Sequence, residues 1–168
     1  MLLENITISL SGILLTAVLT YFFSQKRYTF EKLHDKKLST IEEIYSRIVS
    51  IETDLNIYLH TTGSMVGSEY LQGRLTEIKP IKDKFFELQR YFWKKEIILD
   101  QKSIDVIGSF ITISIEVLGS LTASNVSVQL GDSNSAYEQW DKAYKTMSDK
   151  LQKAKEELKN DFKRTLGS

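Results

Sequence analysis

Two histidines, His34 and His60, and three carboxylates, Asp100, Asp105 and Glu116, are the side chains here that could carry acid–base catalysis or hold a metal. A metal site needs imidazole and carboxylate ligands brought together by short, fixed spacings such as HExxH. His34 and His60 lie 26 residues apart and neither sits in such a pattern. The three carboxylates could in principle move protons. On one apolar helix they read more simply as an N-cap and surface charge. No GxGxxG, GxxxxGKS or GxSxG segment is present. With no Cys, thiol nucleophiles, Cys zinc sites, disulfides and Cys lipidation are excluded. The sequence therefore predicts a protein with no catalytic residues, no cofactor and no metal.

Charge narrows the partners further. The 168 residues carry 22 basic and 22 acidic side chains, a net charge of zero. That balance gives no basis for nucleic-acid binding through a broad basic surface.

The most informative stretch is the amino-terminal "ITISLSGILLTAVLTYFFSQKR". Residues 6–23 hold no charge, no Pro and one Gly. As a helix they extend roughly 27 Å, against a hydrocarbon core of about 30 Å. A cleaved export signal would begin with basic residues and end in small ones. Here the start carries Glu4 and the run ends in "YFF", so an uncleaved anchor is expected. Lys26, Arg27, Lys32, Lys36 and Lys37 follow the run, and no basic residue precedes it. The positive-inside rule then puts the N-terminus outside and the rest in the cytoplasm, at the inner membrane. The same five residues are candidates for anionic headgroup contact, diluted by Glu31 and Asp35. Tyr21, Phe22, Phe23 and Tyr28 suit an interfacial aromatic belt.

Within the span, Ser9, Gly12, Thr16 and Thr20 fall on one helical stripe. Small residues at that spacing let two membrane helices approach closely, and their hydroxyls can bond across the contact. Alternatively, Ser and Thr bond carbonyls of their own helix one turn back. Both readings stand.

The rest of the chain must be built from helices. No Gly or Pro occurs across residues 13–62. Ile41, Ile44, Ile48, Ile51 and Leu55 make a seam at helical spacing. Gly12 and Ile41 are 29 residues apart, about eight helical turns, which aligns stripe and seam. "HTTGSMVGSE" breaks the pattern, and Ser68 is a candidate N-cap for a second helix. Leu71, Leu75, Ile78, Phe85, Leu88 and Phe92 form its apolar face, with Pro80 expected to kink or split it. "FFELQRYFW", with Arg90, Lys94 and Lys95, could stack single-stranded bases, but its spacing fits a core helix. Asp100 is placed to cap a third helix over residues 101–121, with Ile107 and Leu118 inward. Within it "FITISIEV" also alternates like a strand, and its hydropathy raises a second span that Asp105 and Glu116 oppose. "TASNVSVQLGDSNS" reads as a polar linker, and "SAYE" as a capping box with Ser135 as N-cap. The last helix, residues 135–166, would bury Tyr137, Trp140, Tyr144, Met147, Leu151, Leu158 and Phe162.

The segments "KLHDKKLSTIEEIYSRIVSIE", "FFELQRYFWKKEIILD" and "KNDFKRTLG" behind one amino-terminal span resemble small bacterial single-span membrane proteins of uncharacterised activity. The resemblance implies a helical cytosolic bundle in a bacterial or phage-related setting, and no catalytic residues.

The expected architecture is all-α: a transmembrane anchor over residues 1–25, continuing into a cytosolic antiparallel four-helix bundle over 26–168. Its helices are expected near 28–60, 69–97, 101–121 and 135–166. The expected function is a membrane-tethered interaction module that self-associates or holds a cytosolic protein partner at the bilayer. An oligomerising effector that perturbs the bilayer, and a structural subunit of a larger membrane complex, are the alternatives.

Overall fold

The computed structural model describes residues 2–63 and 70–166, with side chains described over 16–61 and 77–165. The order is α1 (Leu2–Gly63), α2 (Tyr70–Lys95) with a 3-10 turn (Glu96–Ile98), α3 (Gln101–Gln129), α4 (Ser133–Lys145), a π-helical turn (Thr146–Leu151) and α5 (Gln152–Leu166). Among the described residues there is no strand. "FITISIEV" lies inside α3, so its period-two pattern loses to helical packing. Two compact units divide the chain, Met1–Ser39 and Thr40–Ser168.

In the second unit the predicted seam holds. Ile41, Ile44, Ile48, Ile51 and Leu55 are all buried, as are Ile78, Phe85, Leu88 and Phe92 of α2. They meet Ile107, Phe110, Leu121, Leu151, Leu158 and Phe162 in one core. Each such side chain contributes about 1.5–3 kcal/mol by leaving water. Leu71 and Leu75 belong to residues whose side chains lie outside the description, and Ser68 lies outside the described residues altogether.

α2 runs through Pro80 without splitting. A proline removes one intrahelical hydrogen bond. Here Ile78 and Ile81, buried on either side of it, hold the helix together by packing.

Two boundaries differ from the sequence expectation. α3 does not stop near 121; it continues to Gln129 through most of the supposed linker. Its polar residues there are paired. Ser124 Oγ donates to the Ala136 carbonyl at 2.7 Å, and Asn125 Nδ2 donates to the Tyr58 hydroxyl at 2.9 Å. Thr122 Oγ1 donates to the Leu118 carbonyl at 2.6 Å. The connection to α4 is then only Leu130, Gly131 and Asp132. Gly131 takes φ +75°, a left-handed turn that a side chain resists.

The second difference is the cap. Asp132, not Ser135, is the N-cap of α4, accepting from the Ser135 amide at 3.0 Å. An aspartate is as good a cap as a serine and brings charge to the helix start. The Ser135 hydroxyl lies 3.1 Å from that of Ser127 instead.

The inner face of the last helix is also rephased. Ala136 and Ala143 are buried, while Tyr137 and Tyr144 are exposed at 67% and 38%. Met147, Leu151, Leu158 and Phe162 are buried as expected. Small residues on both sides explain the swap. α3 presents Ser114, Ser120 and Ser124 inward, and alanines let α4 close on it.

Buried polar pairs fix the neighbours of α5. Asp161 accepts from Ser103 Oγ of α3 at 2.7 Å and pairs with Arg164 at 2.8 Å. Glu52 of α1 pairs with Lys155 at 2.5 Å. Tyr45 of α1 meets Phe162 edge-on at 5.9 Å. On α2, Lys84 pairs with Asp54 of α1 at 2.6 Å.

Candidate interfaces

In the first unit, the side chains of residues 16–33 are all exposed. Val18, Leu19, Tyr21, Phe22 and Phe23 present between 47% and 68% of their surface. Such a dense apolar patch is rare on a protein facing only water. It gives way at once to charge. The Lys26 ammonium sits 4.7 Å from the Phe22 ring centroid, and that of Lys32 5.7 Å from Tyr28. Arg27 Nε donates to Glu31 at 2.8 Å. That hydrogen bond, then the carboxylate's charge, raises the Arg27 pKa above its already high ordinary value. The pair also spends part of the Arg27 charge locally. Lys36 is exposed and Lys37 half-buried.

The small-residue stripe is resolved in part. Ser9 and Gly12 lie in α1, but their side chains fall outside the described residues. Thr16 and Thr20 are exposed, and Thr20 Oγ1 donates to the Thr16 carbonyl at 2.7 Å. The Thr20 hydroxyl thus satisfies itself within its own helix.

In the second unit, the expected carboxylates serve α3 and its neighbours. Asp100 accepts from the Ser103 amide at 2.8 Å as the N-cap. Asp105 accepts from Gln101 at 2.8 Å, and Glu116 from Lys150 at 3.1 Å. Among the described residues, no three His, Asp or Glu side chains gather where a metal could sit.

Sequence reasoning missed an aromatic ladder on α4. Tyr137 stacks on Trp140 at 6.3 Å, Trp140 on Tyr144 at 5.4 Å, and Tyr144 meets His60 of α1 edge-on at 6.1 Å. The i, i+3, i+7 spacing of these rings in the sequence suggests a core stripe, whereas Tyr137 and Tyr144 are exposed. Beside it a cavity of about 220 Å³ is lined by Asn56, His60, Tyr144, Ser148 and Gln152, at the π turn. Leu59 and Met147 line it too, and the polar groups can donate and accept hydrogen bonds without a carboxylate or ammonium among them. Turns of this kind often accompany functional sites.

The aromatic segment of α2 splits between two faces. Phe85, Leu88 and Phe92 are core, while Phe86 and Trp93 are exposed at 53% and 57% with Arg90 between them. One described helix, α3, has the length and apolarity to cross a membrane, and 44% of its apolar window is buried within the protein.

No family model, no curated protein and no solved structure matches this chain.

Proposed function

We propose that this protein is a non-catalytic, membrane-tethered helical interaction module. Residues 6–23 span the bacterial inner membrane with the N-terminus outside. The second unit is a cytosolic antiparallel four-helix bundle that self-associates or holds a protein partner at the bilayer. α3 is in this reading a core helix, since Ser103, Ser124, Asn125 and Glu116 find partners on other helices.

One observation carries the reading: the exposed apolar run through Val18, Leu19, Phe22 and Phe23, ending in Lys26 and Arg27. A bilayer supplies what those side chains lack, and the basic flank fixes the direction of insertion. Expressed in bacteria, the chain should stay in the membrane pellet through an alkaline carbonate wash. Recovery in the supernatant would defeat the anchor.

Self-association through the stripe separates a tether from an oligomerising effector. Gly12→Leu with Thr16→Leu blocks close helix approach. If expression of the parent chain depolarises the membrane and the double variant does not, the effector reading replaces the tether. If expression is harmless, the tether stands.

A further inference from the structure

α3 turns one face to the core and leaves another uncovered. Between Val106 and Val126 its exposed residues are Ser109, Thr112, Ile115, Gly119, Ala123 and Val126. They recur every three or four residues, one helical face about 26 Å long. None carries a charge. The one charged side chain in that stretch, Glu116, is half-buried and accepts from Lys150 at 3.1 Å. Thr112 Oγ1 donates to the Gly108 carbonyl at 2.9 Å, so its hydroxyl is satisfied within the helix. The outer faces of α2 and α5, by contrast, carry exposed charges such as Asp83, Arg90, Glu156 and Lys163. A helix that is apolar all round is normally enclosed, yet only 44% of the apolar window of α3 is buried within the protein.

Two glycines on this side have no use inside the chain. A methyl group on Gly108 or Gly119 would meet no described atom of a neighbouring helix within 4 Å. Neither takes the left-handed φ that favours glycine; among the described residues Gly131 alone does. After proline, glycine is the poorest residue for a helix interior. What it offers there is close approach from outside, and these two lie about three turns apart on the open side.

We infer that this face packs against the same face of a second copy of the chain. A twofold contact sets a surface against itself, so a charged face would meet its own charges. The α3 face meets none. Area also selects the occupant. A strip about 26 Å long and about 10 Å wide covers roughly 300 Å² per copy, well below the about 800 Å² per partner of a stable complex formed from solution. Such a contact holds only between molecules already kept close, and copies anchored in one bilayer are. A bilayer laid on this face would have to take in Glu116 and Lys150 beside it. The outer face of α1, with Ser46, Thr53 and Ile57 exposed, is also uncharged, but no glycine interrupts it. The inference rests on the tether reading for that closeness, and it names the face through which the module self-associates.

The test uses the full, Cys-free chain in native membranes. Ile115→Cys lies mid-strip and should cross-link to a dimer under mild oxidation, since a disulfide needs Cα atoms within about 7 Å. Glu157→Cys, on the outer face of α5, should stay monomeric. Adding Gly119→Leu to Ile115→Cys should remove most of the dimer while the helical circular dichroism stays the same. In dispersing detergent, Gly119→Ala should raise the thermal midpoint by about 2–4 °C, because only helix propensity changes. A fall would place the glycine's role inside the fold and overturn the inference. If Ile115→Cys is retained in the membrane but stays monomeric, the inference is overturned and the anchor spared. A chain lost from the membrane overturns the anchor, and this inference with it. Cross-links that survive Gly119→Leu, that form only when Ile115→Cys chains are mixed with Thr53→Cys chains, or that capture a different protein also overturn it.

Discussion

α1 is one helix with two opposite surfaces. Over residues 16–33, every large apolar side chain is exposed, Phe23 at 66% and Phe30 at 70%. Over residues 41–55, the apolar seam is buried to 2% or less. The two stretches are similarly rich in apolar residues, so composition does not separate them. Distribution does. The seam repeats every three or four residues with charge between, which leaves one face for water and one for a core. The earlier run carries no charge until Lys26; its polar side chains before that include the hydroxyls of Thr16, Thr20 and Ser24 and the amide of Gln25. An uncharged run exposed on every side suits an apolar solvent better than water, and this contrast is what the proposed bilayer anchor rests on.

Charge substitution should break the comparison most forcefully. Ile48→Asp buries an unpaired carboxylate and should cost at least about 4 kcal/mol, enough to lose cooperative thermal unfolding. Val18→Asp should leave that unfolding unchanged and instead release chain from the membrane fraction, since a carboxylate within a span costs roughly 2.5–3.5 kcal/mol. If the two variants behaved alike, the division of α1 would be wrong.

A milder test removes a buried charge. Asp161→Ala strips Ser103 of its acceptor and leaves Arg164 without its 2.8 Å partner. The loss should be about 1.5–3 kcal/mol by chemical denaturation, with no effect on membrane retention.

Much of this fold can be read from the chain, for definite reasons. Ile41 to Leu55 and Phe85, Leu88 and Phe92 announce themselves because helical spacing and strong hydrophobicity coincide. Residues 122–129 do not, because Ser124 and Asn125 look like linker until Ala136 and Tyr58 are seen as their partners. Ala136 and Ala143 are likewise hidden beside Tyr137 and Tyr144, whose larger apolar area draws a pattern search to the wrong face. The cavity at the π turn joins residues of α1 to residues 144–152, a meeting across the chain that no spacing rule signals. The basic flank and the small-residue stripe were visible throughout, because charge and residue size are properties of the sequence itself.

The smallest effects compare single hydroxyls. Tyr58→Phe removes the buried partner of Asn125 and should cost about 1 kcal/mol. Thr20→Val removes a hydroxyl that only serves its own helix, and unfolding of the second unit should not change.

The central claim is best tested by single-cysteine labelling, which the absence of native Cys makes clean. Asn5→Cys and Lys153→Cys are treated with a membrane-impermeant maleimide on intact spheroplasts. Asn5→Cys should label at once, and Lys153→Cys only after permeabilisation. Labelling of Lys153→Cys on intact spheroplasts, or protection of Asn5→Cys, would contradict the account.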